Sequence, residues 1–131
     1  MKLKVDRPPE GGAQSALRRA RRWGRIEVLP DVVAAIAARA ALGCYGIAGM
    51  AARGLRDGFA ELLRRDHLHR GVEVREVADG LSVDVFVVVQ YGVRITEVAR
   101  NLQEAVRFEV ERLVGVPVIE VNVNVQGVHE P

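Results

Sequence analysis

The chain has 131 residues, 49% of them apolar but only 5% aromatic, with a formal charge of +2 and one cysteine, Cys44. That length fits one domain, and Val, Ala and Leu must fill its core. The lone thiol excludes an internal disulfide and fits a reducing cytoplasm.

The start, MKLKVDRPPEGG, has no apolar signal core, and residues 1–24 read as a flexible basic tail punctuated by Pro8-Pro9 and Gly11-Gly12. Arg18, Arg19, Arg21, Arg22 and Arg25 surround Trp23 near its end. Clustered guanidinium groups attract phosphates, and a Trp suits a membrane interface, so these six are candidate contacts to an anionic surface, lipid or nucleic acid.

The folded domain is expected over 25–131, opening with a short strand at 26–29. Asp31 then caps a helix on which Val32, Val33, Ile36, Ala37, Ala40 and Ala41 recur at helical spacing until Gly43. Residues 32–52 are the most apolar stretch, but Arg39 and several glycines interrupt it, and it falls short of a membrane span. Residues 44–53 read as a small-residue connection, followed by a short second helix at 55–65 and a polar loop at 66–71.

Residues 72–77 and 81–90 read as a hairpin across Asp79-Gly80. On its second strand Leu81, Val83, Val85, Val87, Val89 and Tyr91 share one face, and Ser82, Asp84, Phe86, Val88 and Gln90 the other. A long helix over 94–113 carries the stripe Ile95, Val98, Ala99, Leu102, Val106, Val110 and Leu113. Arg100, Glu104, Arg107 and Glu111 alternate on its opposite side, where Phe108 also lies, and Glu109 belongs at the rim beside an Arg. The last strand sets Ile119, Val121, Val123 and Val125 against Glu120, Asn122, Asn124 and Gln126.

The order β-α-α-β-β-α-β, with a right-handed parallel crossover over one sheet face, predicts an α+β two-layer sandwich: a mixed sheet with helices on one side. The amide face is then open or covered by a partner. Phe86, Val88, Asn122, Asn124 and Gln126, with Phe108 on the helix, form the candidate interaction surface, because aromatic, aliphatic and amide groups together suit an interface.

No paired acid and base, nucleophile motif or metal cluster stands out, so the reading is a non-enzyme with no catalytic residue, cofactor or metal. His67 and His69 read as a solvated loop, and Cys44 as a small buried hydrophobe. Gly46-Ile47-Ala48-Gly49, lying between two expected helices, resembles the GxxG of RNA-binding KH domains. That resemblance supplies the alternative: a nucleic-acid-binding module using this loop and the Arg-rich tail.

From Gly24 to Val128 the chain resembles the bacterial alkaline shock protein family. The carrying residues are GRIEVLPDVVAAIAARAA, GIAGM, GVEV, VDVFVVVQYGVRITEVARNLQEAV and GVPVIEVNVNVQGV. The resemblance implies a non-catalytic cytoplasmic protein of the cell-envelope or alkaline stress response. It also implies recruitment to the membrane periphery by a protein anchor, and self-association into homo-oligomers.

Overall fold

The computed structural model describes residues 2–6, 30–52 and 69–130. The expected strand at 26–29, the expected helix at 55–65, His67 and the cluster of Arg18, Arg19, Arg21, Arg22, Trp23 and Arg25 lie outside the described residues.

The centre of the fold is an eleven-residue strand, β4 (Gly80–Gln90), whose alternate residues Leu81, Val83, Val85, Val87 and Val89 are buried on one face. β-Branched side chains suit a strand packed on both faces. β3 (Val72–Val77) turns into it through Ala78-Asp79 and pairs antiparallel, Val74 facing Val83. α2 (Ile95–Val114) then crosses over, and β5 (Val118–His129) returns parallel to β4, as the chain order requires. Gly115 stops α2 in the left-handed region at φ +78°, its N–H bonded to the Glu111 carbonyl at 2.9 Å.

Two strands appear where none is expected. β1 (Lys2–Asp6), in the stretch read as a tail, pairs antiparallel with β5 over Asn124 to Glu120. β2 (Ile47–Met50), in the stretch read as a connection, pairs antiparallel with the end of β4. β2 and β3 therefore occupy the same edge of β4, end to end and in the same direction, and Ala51 N–H bridges their junction by donating to the Phe86 carbonyl at 2.9 Å. Neither segment announces itself, because four or five residues contain too few repeats to establish a period.

The sheet is thus mixed, ordered β1–β5–β4–β2 with β3 beside β2 on β4. α1 (Pro30–Leu42) and α2 cover its Val face, giving the expected α+β architecture. Val33, Ala37, Ala38 and Ala41 of α1 meet Val98, Leu102, Val106 and Val110 of α2 above Val83, Val85, Val121 and Val123. Each fully buried Val or Leu stabilises the fold by roughly 1.5–3 kcal/mol.

Three expected core positions are displaced. Tyr91 falls just past the strand and is 67% exposed. Leu113 turns outward at the end of α2. Ile119 sits at a register shift, since Leu81 pairs with Val118 while Ser82 pairs with Glu120. The opposite face of the sheet is not open: Ser82, Asp84, Val88 and Asn122 are all buried within the chain.

Candidate functional site

The polar face of the sheet engages itself. Ser82 and Asp84 of β4 are in register with Glu120 and Asn122 of β5, and Arg75 of β3 is in register with Ser82. Ser82 Oγ donates to Glu120 Oε1 at 2.7 Å, and Asn122 Nδ2 donates to Asp84 Oδ1. Arg75 Nη2 reaches Ser82 Oγ at 3.3 Å and Asp84 Oδ2 at 3.4 Å, and lies 3.9 Å from Glu120 Oε1. The guanidinium and the amide donor thus compensate the charge of the buried Asp84, which is costly without such partners. Asn122 is 1% exposed, and its Oδ1 has no hydrogen-bond partner among the described residues. A one-residue slip of β5 would turn these polar groups into the Val core, so the ladder holds the parallel register.

An open apolar surface lies instead on the outer side of the helical layer. The sequence of α1, PDVVAAIAARAAL, is apolar almost all round, a pattern that belongs to a helix covered on both sides. Val33, Ala34, Ala37, Ala38 and Ala41 face inward, leaving two outer rows at four-residue spacing. One row is Asp31-Ala35-Arg39-Gly43 and the other Val32-Ile36-Ala40-Cys44. Together with Ala105, Phe108, Glu109 and Leu113 of α2 they enclose a groove of about 710 Å³. Phe108 is 64% exposed, Leu113 56% and Val32 49%.

Two details define the groove's chemistry. Glu109 is tied to Arg112 at 2.8 Å, as expected for a rim carboxylate. Cys44 is half-buried at the groove's end, its thiol directed to the Ala40 carbonyl at 3.4 Å, and burial pushes its pKa up. The thiol is therefore held neutral rather than activated.

Of the candidate surface residues, only Phe108 lies in this groove. Val88 and Asn122 are buried on the far sheet face, Phe86, Asn124 and Gln126 are half-buried there, and Asn124 Nδ2 donates to the Val85 carbonyl at 3.4 Å. Two of the four charges expected to alternate on the outer side of α2, Arg107 and Glu111, instead hold β5. Arg107 Nη2 donates to the Ile119 carbonyl at 3.1 Å, and Glu111 Oε2 accepts the Val118 N–H at 2.9 Å. Gln103 is buried and donates to the Val121 carbonyl at 3.1 Å.

The GxxG reading also changes. Ile47 to Met50 form a strand, and Gly46 and Gly49 are buried, so the segment is not an exposed loop between two helices. Among the described residues no three His, Cys, Asp or Glu side chains gather as a metal-ligand group, and no helix is long and apolar enough to cross a membrane.

Sequence comparison places these features in a family. The chain is 41% identical over 108 residues to the uncharacterized protein YloU of Bacillus subtilis (strain 168), covering 82% of this chain and 90% of that one. It is 41% identical over 106 residues to the uncharacterized protein Spy1614 of Streptococcus pyogenes serotype M6, covering 80% and 88%. A second Bacillus subtilis relative, the uncharacterized protein YqhY, is 31% identical over 80% of this chain and 77% of its own. No solved structure matches the chain significantly. Residues 18–130 match the alkaline shock protein 23 family, described by its cell envelope-related function, and the chain belongs to that family.

Proposed function

We propose that this chain is a non-enzymatic contact protein of the cell-envelope or alkaline stress response. It acts in the cytoplasm at the inner face of the membrane and is held there by a protein partner rather than by insertion. The observation that carries this reading is the groove between α1 and α2. Phe108, Leu113 and Val32 stand exposed around a floor of Ala and Gly, the composition of a surface that receives a helix or a large apolar side chain. The family's envelope-related description supplies the setting.

The test is complementation. A strain lacking the gene is challenged with alkaline medium and supplied with the wild-type chain or Phe108→Glu. The variant is expected to fold with an unchanged melting temperature and to leave the envelope defect uncorrected. Full correction by the folded variant would remove the groove from the function.

A further inference from the structure

We propose that the outer edge of β5 is a strand-addition site for an extended peptide in which apolar and basic residues alternate, and that β1 is a displaceable cover held over it in cis. The site lies at the rim of the sheet, apart from the groove, and stands independently of the function assigned there.

The cover lies outside the matched fold. The family match begins at residue 18, so β5 and its edge belong to it and β1 does not. With β1 released, the outer N–H and C=O groups of a twelve-residue strand become a template for another chain.

The cover is also short. β1 pairs with Glu120 to Asn124, while β5 runs on to His129. Gly127, Val128 and His129 pair with β4 on one side and, among the described residues, with no strand on the other. Val128 is 51% exposed. A strand longer than β1 therefore gains main-chain bonds that β1 does not make, and such bonds supply the affinity of strand addition.

The register states what the edge accepts. Leu3 and Val5 stand opposite Val123 and Val121, and Lys2 and Lys4 opposite Asn124 and Asn122. Asp6 breaks this order, because it stands opposite Glu120, and like charges directly opposite destabilise an antiparallel pair. A basic residue in that place completes the alternation. Asp84, in register with Asn122 on β4, adds a second carboxylate to the same face. The fitting occupant is thus a basic-apolar strand antiparallel to β5, whereas an acidic strand would set like charges along the edge.

The experiment uses the full chain and a fluorescently labelled (Lys-Val)4 peptide, with (Glu-Val)4 as the charge-reversed control, followed by anisotropy. Wild type is expected to bind (Lys-Val)4 one to one and (Glu-Val)4 more weakly. Binding should slow hydrogen exchange within residues 126–129, which β1 does not reach. Lys4→Pro combined with Val5→Pro releases the cover: adjacent N–H groups face opposite sides of a strand, so one of the two lost donors lies in the ladder. That double variant gains on the order of tenfold in affinity, as when the open form rises from about a tenth of the molecules to nearly all. Asp6→Lys removes the like-charge pair, tightens the cover and weakens binding.

No binding of (Lys-Val)4 by wild type and double variant, equal binding of the two peptides, or equal affinity in all three chains would overturn the inference. So would binding that leaves exchange within 126–129 unchanged, or a double variant that doubles its mass and refuses the peptide. If the double variant does not fold, wild type against Asp6→Lys decides alone.

Discussion

Gly46 joins α1 to β2 with φ +87°, and a Cβ built there would sit 2.7 Å from Val98 Cγ2 and 3.3 Å from Val98 Cγ1. Gly46→Ala therefore meets two separable costs. The left-handed backbone costs a non-glycine residue roughly 1–2 kcal/mol. The contact with Val98, on the buried side of α2, forces a shift whose cost as overpacking is about 1–3 kcal/mol. The sum, about 2–5 kcal/mol, is a large fraction of the roughly 5–15 kcal/mol typical of a domain. Urea unfolding followed by circular dichroism measures it as a lower midpoint at unchanged slope. The two terms separate in a double-mutant cycle. Val98→Ala alone leaves a cavity and destabilises, but it removes the clash, so the pair should lose less than the sum of the singles. Gly46→Ala costing under about 0.5 kcal/mol, or strict additivity with Val98→Ala, would refute the reasoning.

Asp84→Ala removes the acceptor of the buried Asn122 amide and should cost about 1–3 kcal/mol; a neutral result in chemical unfolding would mean that the ladder does not secure the β4–β5 register. Glu111→Ala frees the Val118 N–H at the start of β5 and should cost roughly 1 kcal/mol, with faster hydrogen exchange at Val118; unchanged exchange would contradict the bond. Phe108→Glu should stay within about 0.5 kcal/mol of wild type, and unfolding would make Phe108 a core residue instead. Because burial raises the Cys44 pKa, the folded chain should be alkylated by iodoacetamide more slowly than the urea-unfolded chain between pH 7 and 9; equal rates would contradict a protected thiol.

The long periodic segments were legible from sequence. β4, α2 and β5 run for eleven, twenty and twelve residues, so the faces of Val83, Val85, Val98, Leu102, Val121 and Val123 follow from spacing alone. Lys2 to Asp6 and Ile47 to Met50 were not legible, because both are edge additions defined by their partner strand more than by their own pattern. Two of the candidate surface residues, Val88 and Asn122, are buried for a related reason. Alternation shows that Asn122 and Val88 share the far face, but it cannot show that this face is covered. Arg107 and Glu111 look like solvated charges until the backbone of β5 is present to receive them. The groove had a signal that went unused: thirteen residues of α1 are too apolar for a helix buried on one side only.

The most direct measurement of the groove as the contact surface is photo-crosslinking in living cells, with a crosslinkable residue placed at position 108, 36 or 91 in otherwise wild-type protein. Positions 108 and 36 lie in the groove, whereas Tyr91 is as exposed as Phe108 but sits at the end of the sheet. The account predicts adducts from 108 and 36 that sediment with the membrane fraction, and none from 91. Adducts from 91 with none from 108 or 36 would contradict it.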